Sequence, residues 1–198
     1  MHEDELVAFW HVAFSSISVA SCLTVLVVSL RVPVLRKFPA NMLLWKTACD
    51  SLLSLIIVIM NATLLAGGVD RHMEHGAALC RNGWLAGVTG LLLLASPGWF
   101  FALAYNLNRS LHDPFTRPQS RIGKFHAGVW TTSGVVGVVV ALLHEYRPNE
   151  HLCWSCHGLD RAFNWFLLLG WIVVYTLFAM VYTCDAAFWF IHLLSACI

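Results

Sequence analysis

Apolar residues fall in five long runs, at residues 7–30, 42–66, 84–107, 126–143 and 162–182, with short polar linkers between them. Each approaches or exceeds the ~20 residues that carry a helix across a ~30 Å hydrocarbon core. Lipid offers no partner to backbone N–H and C=O groups, so a spanning segment must satisfy them internally. A barrel would show ~10-residue segments alternating between apolar and polar positions, and these runs do not alternate. The pattern predicts an all-α integral membrane protein with five transmembrane helices over residues 1–183. Residues 184–198 form an apolar tail, set off by Asp185 and too short to span as a helix. The tail either extends the fifth helix or begins a sixth. The first run is not read as a cleaved signal, because its start, Met1-His2-Glu3-Asp4-Glu5, is acidic where a signal needs basic residues.

Composition strengthens this reading. Of the 198 residues, 59% are hydrophobic and 12% charged, against roughly 45–50% and ~25% in a soluble chain. So few charges cannot cover a folded surface in water, which excludes a soluble enzyme, a disordered tail and a small disulfide scaffold. Membrane lipid is the expected solvent. The net charge of +1 argues against nucleic acid as a partner. The basic residues also set an orientation. Arg31, Arg36, Lys37 and Lys46 lie in or beside the first linker, and Arg109, Arg117, Arg121 and Lys124 in the third, eight of the twelve in all. The positive-inside rule puts these linkers in the cytoplasm, the N-terminus outside and the C-terminus inside.

Polar residues inside the runs are the candidates for function. Asp50 lies eight residues into the second run. A carboxylate there costs on the order of 2.5–3.5 kcal/mol on insertion scales, so it should face the bundle as an ion site or switch, or sit in a water-filled cleft. Ser96 and Ser18 are its candidate partners. Lys46, one turn earlier, is expected to reach to the headgroups. Pro97 should kink the third helix, flanked by Ser96 and Gly98. His11, His126, His144 and His192 fall near run ends, as interface anchors. The sequon Asn61-Ala62-Thr63 lies within an apolar run and Asn108-Arg109-Ser110 on the inner side, so neither is expected to carry a glycan. No nucleophile–base set, phosphate loop or His-Glu-x-x-His motif is present, so no enzyme activity and no cofactor are expected.

The cysteines divide by side. Cys22 and Cys49 lie in the runs and Cys184 and Cys197 on the inner side, whereas Cys80, Cys153 and Cys156 lie outside, where disulfides form. A bridge from Cys80 to Cys153 or Cys156 would fasten the last outer loop over the bundle. Cys153-Trp154-Ser155-Cys156-His157 also has the Cys-x-x-Cys-His spacing of a c-type haem attachment site, and its Cys153, Cys156 and His157 could hold a metal. That gives a competing reading as a membrane redox or metal-binding protein.

The order of these features is similar to a G-protein-coupled receptor of the cAMP-receptor-like family, the protist and oomycete type that includes receptors fused to lipid kinases. Leu35-Arg36-Lys37-Phe38-Pro39 leading to Met42-Leu43-Leu44 and Ala48-Cys49-Asp50-Ser51-Leu52-Leu53 resembles the family's first inner loop and second helix. Cys80-Arg81-Asn82-Gly83 resembles its Cys opening the third helix. Trp99, Ala104-Tyr105-Asn106, then Phe125-His126 and Trp130, then Cys153-Trp154 and Arg161, follow in the family's order. The resemblance covers about residues 5–183.

It implies a seven-helix receptor bundle, here ending after the fifth helix, and a partial receptor with an aberrant tail. It further implies an extracellular ligand, reception and transmembrane signalling at the plasma membrane, and a heterotrimeric G protein facing Arg36, Lys37, Arg109, Arg117, Arg121 and Lys124. Cys80–Cys153 is the disulfide that it implies. Asp50 becomes the intramembrane polar switch whose usual seventh-helix partner is missing, so the carboxylate should be under-satisfied and Asp50→Asn should cost little stability.

Overall fold

The computed structural model describes residues 3–37, 40–80, 83–113, 121–143 and 159–196. They form five α-helices: α1 (Glu3–Arg31), α2 (Asn41–Cys80), α3 (Gly83–His112), α4 (Ile122–Leu143) and α5 (Leu159–Ala196). A short 3-10 turn, Pro33–Arg36, links α1 to α2, with Pro33 at its first position, where a missing N–H costs nothing. Each helix contains a span long and apolar enough to cross a membrane. The chain is thus an all-helical, multi-pass membrane protein.

Two helices outrun the apolar runs that predict them. α2 continues past residue 66, through Gly67-Gly68, to Cys80. Lipid sets where a run must be apolar, but it does not end a helix; no proline interrupts 41–80, and backbone hydrogen bonds carry α2 beyond its span, Asn41–Thr63. Cys80 therefore closes α2 rather than opening the third helix. Likewise α5 runs without a break through Asp185 to Ala196, so the apolar tail extends the fifth helix.

Contact pairs fix the directions. Ser18 of α1 bonds Ser54 of α2 at 3.0 Å. Asp50 and Trp45 of α2 meet Ser96 and Trp99 of α3 in reverse order, so α2 and α3 are antiparallel. Gly87, Gly98 and Tyr105 of α3 meet Gly137, Val129 and Phe125 of α4, again in reverse. α5 lies parallel to α3 at a constant offset of 77 residues: Phe101 against Phe178, Tyr105 against Tyr182, Asn108 against Asp185.

α3 is the hub. It packs on α2, α4 and α5, while α1 packs chiefly on α2. Within its span 61% of residues are buried, against no more than 28% in any other span. Small residues permit this. A Cβ on Gly87 would lie 2.6 Å from the Gly137 carbonyl oxygen, and one on Gly137 2.9 Å from Leu91 Cβ. The α3–α4 crossing thus depends on two glycines, as in close membrane helix pairs. The outward faces carry exposed large apolar side chains, among them Phe14 and Ile17 on α1, Leu142 on α4 and Phe178 and Val181 on α5. In water such a surface would aggregate; in a bilayer it is the solvated face.

Candidate functional site

A polar cluster lies inside the spans, on the seam between α2 and α3. Asn41–Thr63 presents Lys46, Asp50 and Ser54 at successive i, i+4 positions, which share a helix face. Lys46 Nζ donates to Asp50 Oδ2 within the helix. Ser96 Oγ of α3 donates to Asp50 Oδ1 across the seam. Both carboxylate oxygens are therefore engaged. Lys46 and Asp50 keep only 29% and 27% of their side-chain area exposed, so the pair is largely enclosed by protein. One turn further along, Ser54 links to Ser18 of α1, so three helices meet along this polar line.

Asp50 is thus not under-satisfied. The lysine one turn away supplies the missing charge, and Lys46 turns inward instead of reaching to the headgroups. An i, i+4 pair needs no long-range closure, and within an enclosed face the attraction is stronger than it would be in water. Ser96, a candidate partner on sequence grounds, is in contact; Ser18 bonds Ser54 and not Asp50.

A tryptophan box adjoins the cluster on the side of α2's first turn. Trp45 of α2 stacks on Trp99 of α3 with centroids 6.2 Å apart and planes at 19°. His126 and Trp130 of α4 meet Trp99 edge-on at 4.7 and 6.1 Å. The same two rings meet Trp45 at 5.4 and 6.0 Å. All are distances at which edge-to-face and offset aromatic pairs are favourable. Trp99 is fully buried. His126 thus packs against the two tryptophans of the α2–α3 seam. Trp45 went unmarked in the sequence; its position directly before Lys46, four residues ahead of Cys49, was the available signal.

Pro97 lies inside α3, directly after Ser96. Its ring denies the Leu93 carbonyl the usual i+4 donor, and α3 continues through it to His112. At the far end of α3 a second polar junction forms. Asn108 Nδ2 donates to Asp185 Oδ2 of α5 at 2.7 Å, and His112 Nε2 lies 3.7 Å from the same oxygen. Arg109 reaches Asp113 at 3.8 Å. Asp185, which reads in sequence as a break, is the residue that ties α5 to the hub.

The basic residues collect at this end. Arg31 ends α1, Arg36 and Lys37 lie at and after the 3-10 turn, Arg109 is in the last turn of α3, and Arg121 and Lys124 open α4. Arg117 lies outside the described residues. So do Cys153, Cys156, His157 and the side chain of Cys80, and with them the disulfide and the Cys-x-x-Cys-His site. Among the described residues Cys22, Cys49 and Cys184 are free thiols, and no group of three His, Cys, Asp or Glu side chains is placed to hold a metal.

No family model and no curated protein matches the chain.

Proposed function

We propose that the chain is a receptor-like membrane protein of the G-protein-coupled, cAMP-receptor-like type, receiving an extracellular signal and passing it to the cytoplasm. The observation that carries the reading is the α2–α3 seam. An acidic residue of the second span bonds a hydroxyl of the third, beside a tryptophan box contributed by the second, third and fourth spans. The Ser96–Asp50 hydrogen bond, joining two helices within an apolar bundle, is a discrete contact that helix movement makes or breaks, which suits a switch. The order of sequence motifs, with Asp50, Trp99, His126 and Trp130 meeting at one place, supports the same reading.

The basic end then faces the cytoplasm, in accord with the positive-inside rule. Arg36, Lys37, Arg109, Arg117, Arg121 and Lys124 form the face offered to a heterotrimeric G protein. The N-terminus is extracellular, the plasma membrane is the location, and Cys80–Cys153 is the bridge that closes the outer mouth. The bundle is part of a seven-helix arrangement.

The test is nucleotide-sensitive capture. The protein is expressed in membranes with a heterotrimeric G protein and purified through a tag. Co-purification that is released by a non-hydrolysable GTP analogue, and lost in Arg121→Glu/Lys124→Glu, is the expected result. Absence of capture together with a Soret band from the purified protein would replace this reading with the redox one.

A further inference from the structure

Histidine is the side chain whose charge ordinarily changes between pH 5 and 8. At the far end of α3, His112 stands between two groups that only accept hydrogen bonds. Its Nδ1 lies 3.1 Å from the Asn108 carbonyl oxygen, one turn back on the same helix, and its Nε2 lies 3.7 Å from Asp185 Oδ2 of α5. We propose that His112 and Asp185 form a proton-operated clasp between α3 and α5, closed when His112 is protonated and loosened when it is neutral.

Neutral imidazole carries a single N–H. Given to the Asn108 carbonyl, it leaves an Nε2 lone pair facing a carboxylate; given to Asp185, it leaves an Nδ1 lone pair facing a carbonyl. Imidazolium has two N–H groups, answers both acceptors and sets a positive charge beside Asp185. The carboxylate is held in place on the α3 side before the proton arrives, because Asn108 Nδ2 donates to Asp185 Oδ2 at 2.7 Å and to the Tyr182 carbonyl at 3.4 Å. His112 and Asp185 keep 32% and 47% of their side-chain area exposed, so protons reach both, and the same solvent keeps the effect modest. The neighbouring charges leave the pair to act. On α3, Arg109 and Asp113 lie 3.8 Å from each other. From α5, the Tyr182 ring packs on Tyr105, and Cys184 is exposed. α4, which packs on the same hub, opens with Arg121 and Lys124, and the linker before α2 carries Arg36 and Lys37; lysine and arginine keep their charge between pH 5 and 8. The clasp stands whether or not a G protein is the partner. With the orientation proposed above, the acidity it reads is that of the cytoplasm.

Amide hydrogen exchange of the full chain in detergent reads the clasp, measured at pH 6 and pH 8, corrected for the intrinsic rate at each pH, with α1 as internal reference. Residues 183–196 should exchange about threefold more slowly at pH 6 than at pH 8, the size that a half-exposed ion pair gives to local opening. His112→Gln and Asp185→Asn should each abolish that difference, whereas His192→Gln, further along α5, should keep it. Equal protection of the wild type at the two pH values overturns the proposal. So does a difference that survives His112→Gln or Asp185→Asn, or one that His192→Gln removes.

Discussion

At the scale of the residue, Asp50 shows how far sequence reasoning reaches. That a carboxylate in an apolar run must find a partner follows from solvation alone, and Ser96 was nameable as one candidate because the third run places few hydroxyls at that depth. The role of Lys46 was not legible. A lysine one turn from an aspartate can reach out to headgroups or in to the carboxylate, and only the facing of α2 decides which. With both oxygens of Asp50 occupied, Asp50→Asn no longer counts as harmless: it strands the Lys46 ammonium in a largely enclosed site. We expect this substitution to lower stability by about 1–3 kcal/mol, the cost of an unpaired buried polar partner, seen as a lower melting temperature in detergent. A melting temperature equal to or above wild type would mean that the pair contributes nothing. The glycines make a sharper comparison. Gly87→Val should destabilise the protein by about 1–3 kcal/mol through overpacking, since even a Cβ meets the Gly137 carbonyl. Gly128→Ala has open space around it and should gain about 0.5–1 kcal/mol from helix propensity. Many glycines stand in these runs, and sequence does not mark which two face each other.

At the scale of the element, the five spans were legible because lipid demands a continuous apolar length and little else produces one. The helix ends were not, because hydrogen bonding carries α2 and α5 well past their apolar spans. Nor could the pairing and register of α3 with α5 be read, since they join residues 77 positions apart. That alignment gives Asp185 a testable job. Asp185→Ala should release the C-terminal turns of α5 from Asn108, raising amide hydrogen exchange beyond Tyr182 while α1 is unchanged; unchanged exchange after Tyr182 would show that the ring stack of Phe101, Tyr105 and Tyr182 holds α5 unaided. Orientation belongs to this scale too. On the positive-inside proposal, which puts the basic ends of α1 and α3 in the cytoplasm, a tag placed after Ala196 should stain only in permeabilised cells. Staining of intact cells would reverse the topology.

At the scale of the whole molecule, α3 joins α2 on one side to α4 and α5 on the other, and α1 packs on α2. Along the α2–α3 seam the Lys46–Asp50–Ser96 cluster and the tryptophan box lie side by side. This arrangement ties α2 to α3 through Asp50 and Ser96, with the Asp50 charge paired to Lys46 on its own helix. The central claim is that Asp50 and Ser96 form one joint across that seam. A double-mutant cycle on thermal unfolding tests it most directly, using Asp50→Ala, Ser96→Ala and the double variant. The account predicts non-additivity: after Asp50→Ala, Ser96→Ala should cost at least ~0.5 kcal/mol less than it does in the wild type, the size expected for residues in contact. Strict additivity of the two substitutions would contradict the joint.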